Sequence, residues 1–217
     1  MGRGVFISLE GGEGAGKSSQ IERLGRRLEA RGVHVITTRE PGGTPEAERV
    51  RKLLVTGHTE RWDALTEALL IYAARRNHVE NLIKPELESG SWVLCDRFFD
   101  STLVYQGIAG KAGPSNIEAL RHLALGDFAP DLTLVLDLPA EEGLRRAGRR
   151  IGGENVVPED RFEKKGLEFH ERIRASYKEI IENEPQRCVL IDGSKSADAV
   201  ETEIWAAVQV RFEDRLL

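Results

Sequence analysis

The run Gly11–Ser18 reads GGEGAGKS, with glycine in the first and sixth places and a lysine–serine pair at its end. Glycines let successive backbone N–H groups turn inward on an anion. A lysine at this spacing reaches the terminal phosphates of a nucleotide, and the following serine offers a hydroxyl to Mg²⁺. The run leaves an apolar stretch and opens a helical pattern. That context separates a nucleotide cradle from a glycine turn that merely starts a helix. Gly11, Gly12, Glu13, Gly14, Ala15, Gly16, Lys17, Ser18 and Ser19 therefore form the expected ATP-binding stretch. Glu13 is its odd member, a carboxylate in a loop built for anions.

A phosphate loop does not name a reaction, because switches, motors and kinases share it. No Asn-Lys pair of the kind that reads a guanine base occurs, and no Ser-Gly-Gly-Gln run of the transporter ATPases. A second set of charges sits where other elements end. CDRFFDSTLVYQG (95–107) puts Asp96 and Arg97 just past an apolar run. Asp96 can hold a Mg²⁺-bound water there, and Arg97 can clamp a phosphate in bidentate fashion. TREPGGT (38–44) leaves another apolar run and turns at Pro-Gly-Gly. YAARRNHVE (72–80) lies in a helical pattern, with Ile71 and Arg75 one turn apart on one face. LRRAGRR (144–150) sets Arg145 and Arg149 four residues apart, before a polar, glycine-paired segment that reads as a lid. The two sets describe opposed anion sites, as a kinase acting on an already phosphorylated acceptor needs.

These residues need a scaffold. Five short runs rich in Val, Ile and Leu read as buried strands: 4–10, 33–38, 91–96, 131–138 and 187–192. Helical patterns separate them, at about 17–31, 46–56, 63–85, 98–107, 115–126, 140–150, 162–183 and 196–213. Strands alternating with helices predict an α/β fold: a three-layer P-loop NTPase arrangement, a five-stranded parallel sheet with helices on both faces. The functional loops then gather at the strands' C-terminal edge. No repeat or Pro/Gly/Ser linker divides the chain, so residues 1–217 are expected to form one domain with a mobile lid at about 147–162. With 40% hydrophobic and 31% charged residues and a net charge of −5, the composition is that of a globular protein without a basic face for nucleic acid. There is no signal-peptide core and no apolar run long enough for a membrane. Cys95 and Cys188 fit no metal spacing and read as buried thiols, so a cytoplasmic enzyme is expected.

In order along nearly the whole chain, Glu10–Ser18, TREPGGT, YAARR, CDRFFDSTLVYQG, GDFAPDLTLVLDLP and the arginine-rich lid ending in DRFE resemble the bacterial thymidylate kinases. The phosphate loop belongs to a whole superfamily; REPGG together with DR…S-x-x-Y-Q-G is specific to this one. The resemblance implies ATP + dTMP → ADP + dTDP with Mg²⁺, and a homodimer. It implies that Arg97 and Arg75 hold the dTMP phosphate, with Arg51 directed to the same site and Glu40, Pro41 and Ser101 around it. It places Thr102 and Gln106 at the thymine edge, Tyr105 along the sugar, and Tyr177 against the sugar's 2′ position. By the same resemblance, Glu13 is expected to reach the acceptor's 3′-hydroxyl. Ser18 and Asp96 serve the metal.

Within the family, one arrangement sets a basic residue in the phosphate loop and the other uses lid arginines. No residue between these loop glycines is basic, so the lid arrangement is implied, with Arg149 as the catalytic finger, Arg150 close behind, and Arg145 on ATP. The catalytic set is then Lys17, Arg97, Arg149 and Arg150. One position departs from the pattern: the family sets phenylalanine one turn before Arg75 to stack on the base, and here Ile71 stands there. Two other readings stay open, a monophosphate kinase preferring another base such as dUMP, and a non-catalytic nucleotide sensor.

Overall fold

A computed structural model describes residues 2–58, 60–148, 162 and 165–216. Five parallel strands form one sheet in the order β2–β3–β1–β4–β5: β1 Phe6–Gly11, β2 Val35–Arg39, β3 Trp92–Asp96, β4 Leu132–Asp137 and β5 Cys188–Asp192. All six residues of β1 are buried, as a strand paired on both sides and covered on both faces requires. Its alternation assigns the faces. Ile7 and Leu9 pack with α1 (Lys17–Glu29) and α9 (Ala197–Phe212) through Ile21, Leu24, Leu28, Ile204 and Val208. Phe6 points the other way, into Ala68, Tyr72, Phe98 and Ile117 of α3 (Ala64–His78), the segment after β3, and α6 (Pro114–Leu125). By the same period of two, Ser8 and Glu10 lie on the Phe6 face.

Helix starts follow their caps. Thr44 accepts from the Ala47 N–H ahead of α2 (Pro45–Val55), with proline in the first turn where its missing N–H costs nothing. Asp63 caps α3 through Leu65 and Thr66, and Ser196 caps α9 through Ala199. The helix expected over 63–85 is interrupted. After His78 the chain widens into a π-helical turn, Val79–Ile83, before α4 (Lys84–Glu88). Pro85 has no N–H to continue the ladder, and its ring crowds the carbonyl four residues back. The segment expected over 98–107 is likewise a single turn, α5 (Phe99–Thr102), followed by a π-helical stretch, Leu103–Ala109. The helix expected from 162 begins at Leu167, directly after Gly166, as α8 (Leu167–Asn183). The helix leading to the lid is α7 (Ala140–Gly148). Most of the expected lid, including Arg149 and Arg150, lies outside the described residues. No helix among the described residues is long and apolar enough to cross a membrane.

Candidate active site

At the C-terminal end of β1 the chain wraps into the phosphate loop. Gly14 has φ +68° and approaches α7 so closely that a Cβ would stand 2.1 Å from the Gly143 carbonyl oxygen. Gly16, at φ +92°, begins α1 with no side-chain cap. The first amides of α1 are therefore left for an anion, at the positive end of the helix dipole. Lys17 Nζ donates to the carbonyls of Gly11 (3.1 Å) and Gly12 (2.9 Å), folding back over its own loop. Burial, then the charge of Arg97, lowers its pKa to about 8 against the pull of Asp96 and Glu13. Ser18 Oγ donates to Asp96 Oδ2 at 2.7 Å, so the sheet brings the two expected metal residues together from β3 and α1. One hydroxyl and one carboxylate suit Mg²⁺, which keeps most of its waters and takes its other oxygens from phosphate. Among the described residues no cluster of three His, Cys, Asp or Glu offers a site for a softer ion.

Beside the loop opens a cavity of about 140 Å³. Every expected acceptor residue except Tyr177 lines it. Arg97 links cavity and loop. Its backbone is left-handed, φ +68°, in a residue that carries a side chain. Its guanidinium donates through Nη1 to the Gly11 carbonyl (3.0 Å) and Ser101 Oγ (3.1 Å), and through Nη2 to Glu13 Oε1 (3.0 Å). Tyr105 donates its hydroxyl to the same Glu13 oxygen at 3.0 Å, and its ring lies 4.8 Å below the guanidinium. Burial alone would raise the Glu13 pKa, but Arg97, Lys17 and the Tyr105 hydroxyl outweigh it and hold the carboxylate at about 2. Glu13 is thus an ionised strut between the two halves of the site.

A second charged group sits deeper. Arg75 is 2% exposed and donates from Nε to Glu40 Oε2 at 2.6 Å. Its Nη2 donates to the Phe98 carbonyl (3.1 Å) and Thr102 Oγ1 (3.0 Å). Nη1 is buried and has no hydrogen-bond partner. The other Glu40 oxygen lies 3.0 Å from His78 Nδ1. Arg75 thus contacts Thr102, the expected base reader, and lines the same cavity as Arg97. Arg51 Nη1 donates to the Pro41 carbonyl at 2.9 Å, tying α2 to the turn after β2. Gln106 donates to Glu67 Oε2 at 3.0 Å. Ile71 is buried against Leu54 and Val55 of α2 and forms an aliphatic wall.

Tyr177 stands elsewhere. Its hydroxyl donates to Glu10 Oε2 (2.8 Å) and lies 3.0 Å from Ser101 Oγ. It is behind Ser101, in a neighbouring crevice with Gly12, Leu138 and His170. The tyrosine that touches the acceptor cavity is Tyr105. Arg145, expected on ATP, is engaged with Glu142 through Nε (2.7 Å) and Nη2 (2.6 Å) on the half-exposed surface of α7. The motifs assigned no role to Glu10, Glu67 or His78. Glu10 carried one signal, a charged residue at the end of an apolar strand run; Glu67 and His78 carried none.

A family model for thymidylate kinase matches residues 9–204. The thymidylate kinase of Caulobacter vibrioides is 57% identical, over 98% of this chain and 99% of its own. That of Bradyrhizobium sp. strain ORS 278 is 52% identical, over 97% and 92%. The crystal structure of the thymidylate kinase from Ehrlichia chaffeensis superposes with a TM-score of 0.75 at 33% identity, covering 95% of this chain and 99% of that one. Phosphate loop, linking arginine, acceptor cavity and these full-length likenesses agree: the chain belongs to the thymidylate kinase family.

Proposed function

We propose that this protein transfers the γ-phosphoryl group of ATP to the phosphate of dTMP. One observation carries the reading. Arg97 joins the phosphate loop to the acceptor cavity in a single hydrogen-bonded unit with Glu13, Ser101 and Tyr105. A donor on the loop and an acceptor in the cavity therefore meet at one guanidinium.

The loop amides and Lys17 hold the phosphates of ATP. Ser18 and Asp96 would hold Mg²⁺, which would supply charge neutralisation at the donor phosphates. Arg97 takes the acceptor phosphate, with Arg51 near it. Arg75, which lines the cavity and bonds Thr102, serves the acceptor beside Thr102 and Gln106. A phosphomonoester loses its second proton near pH ~6, so the nucleophile is already a dianion and no general base is required. Rate comes from positioning and charge neutralisation, completed by lid arginines, Arg149 first and Arg150 next.

Two unpaired, buried cysteines suit a cytoplasmic protein. Leu65 and Leu69 on α3 and Leu123 on α6 are exposed, and a homodimer through that face would cover them.

Coupled ADP release with ATP·Mg²⁺ against dTMP, dUMP, dGMP and dCMP tests the reading. dTMP is expected to give the highest kcat/KM. Preference for another base would reassign the acceptor, and ADP release without any acceptor would make the protein an NTPase.

A further inference from the structure

Glu10 is the last residue before the phosphate loop and is completely buried, at 0% exposure. Burying a carboxylate is costly unless its partners repay the lost water. Its partners are all on one theme. Oε1 accepts from the Phe98 N–H at 2.7 Å. Oε2 accepts from Ser101 Oγ at 2.6 Å and from the Tyr177 hydroxyl at 2.8 Å. Phe98 follows Arg97 in sequence, and Ser101 Oγ is a ligand of the Arg97 guanidinium.

We propose that Glu10 is a positioning residue for Arg97, its one carboxylate fixing both the left-handed backbone and the guanidinium through which Arg97 meets the acceptor phosphate.

Three bonds hold the turn. The Arg97 N–H donates to the Leu9 carbonyl at 2.9 Å, the Cys95 thiol to the Arg97 carbonyl at 3.1 Å, and the next amide, Phe98, to Glu10. A residue with a Cβ keeps φ +68° only where its surroundings over-determine it. Of the three, only Glu10 also reaches the side chain, through Ser101. Tyr177 braces the same oxygen from α8.

The electrostatics agree with this geometry. Burial, then Asp100, raises the Glu10 pKa to about 7, against Ser101, Arg97 and the Phe98 amide. Arg187 takes both oxygens of Asp100, at 2.7 and 2.8 Å, so the neighbouring carboxylate is already paired. Lys17 from α1, Arg75 from α3, Cys95 from β3, Tyr177 from α8 and Cys188 from β5 complete the titratable groups that feel Glu10. Burial and Asp100 outweigh the positive charge of Arg97, and the hydrogen bonds from Ser101, Tyr177 and Phe98 are what hold the carboxyl group at this depth.

The inference rests on the dTMP kinase reading, and wild-type turnover with dTMP run alongside checks that reading separately. Glu10→Ala and Glu10→Gln are compared in the Arg97 and Arg97→Ala backgrounds by steady-state kinetics. Glu10→Ala is expected to raise the dTMP KM by about tenfold or more, the loss of roughly one charged hydrogen bond's worth of alignment, with the ATP KM within about twofold. Glu10→Gln keeps an acceptor for Phe98 and reverses the hydroxyls, so about threefold is expected. Both effects should vanish once Arg97 is already alanine, since Glu10 acts through it. Equal rises in both KM values, or an effect undiminished in the Arg97→Ala background, would overturn the proposal. Should Glu10→Ala fail to fold, Glu10→Gln decides alone: no change in dTMP KM, or a change that persists without Arg97, overturns it.

Discussion

Replacing Arg75 with methionine removes a guanidinium of similar length from a site where it is 2% exposed. Three acceptors lose their donor: Glu40, the Phe98 carbonyl and Thr102 Oγ1. The Tyr72 and Phe98 rings, 4.7 and 5.3 Å from the guanidinium, lose a cation–π partner. Glu40 keeps His78 Nδ1, 3.0 Å away, as a hydrogen-bond partner. Breaking a buried pair from one side costs about 3–5 kcal/mol. At about 2.1 cal/mol/K per residue, 217 residues give an unfolding entropy of roughly 0.46 kcal/mol/K. The variant should therefore melt roughly 7–11 °C lower by calorimetry. Removing the other partner too, as Glu40→Leu with Arg75→Met, should recover most of that loss, because no uncompensated charge remains. Ligand binding separates fold from function. At a hundredfold excess over Kd, dTMP stabilises the wild type by about 2.7 kcal/mol, roughly 6 °C here. Neither variant should show that shift, since both lack the Arg75 guanidinium at the cavity wall. A single variant melting within about 2 °C of wild type, or a double variant that still responds fully to dTMP, would refute the reasoning.

Lys17→Ala removes the cation nearest the donor phosphates and should lower kcat at least roughly a hundredfold; turnover within twofold of wild type would undo the loop assignment. Glu13→Ala frees both Arg97 and Tyr105, so dTMP and its 3′-deoxy analogue should both lose affinity. The loss for dTMP should be about fivefold greater, and equal losses would remove the contact with the 3′-hydroxyl. Glu10 also predicts a pH effect on stability. Its pKa rises on folding from 4.5 to about 7, so the native state keeps a proton the unfolded chain has released. That contribution is fully present below pH 4.5 and is lost as pH climbs to 7, by at most roughly 3 kcal/mol. Denaturant titrations of wild type and Glu10→Gln should diverge across that window; parallel curves would mean that Glu10 does not titrate there.

The strands were legible because a parallel sheet covered on both faces needs runs of Val, Ile and Leu, and the glycines and Asp96–Arg97 mark where those runs stop. The acceptor residues were legible through the resemblance of REPGG, YAARR and DR…S-x-x-Y-Q-G to the family rather than through the strand pattern. What sequence could not show was direction. Tyr177 lies on a helix whose pattern places it inward but does not tell which neighbour its hydroxyl meets. Glu10 and Ser101 meet it, and Tyr105 takes the cavity position. The π-helical stretch Leu103–Ala109 is equally silent in a periodicity of 3.6, yet it carries Tyr105 and Gln106. Arg75 shows the same limit. Its spacing gives a helix face, but only the tertiary fold shows that Glu40, the Phe98 carbonyl and Thr102 take three hydrogen bonds from Nε and Nη2.

Charge at the meeting point decides what the rest of the molecule must supply. At the loop, Lys17 and Arg97 stand with Glu13 and Asp96, so these four charges cancel. Glu13 cannot relieve this by protonation, because Arg97 and Lys17 hold it ionised at any working pH. Two highly charged phosphate groups cannot be brought into line on a neutral platform. Under the proposed reaction, further positive charge would come from Mg²⁺ held at Ser18 and Asp96 and from the arginines expected after α7. Gly14 packs against Gly143, so α7 rests on the loop backbone itself. A loop with an acidic member is therefore consistent with a finger outside it. Glu13 anchors the linking arginine, and the neutralising charge comes from elsewhere.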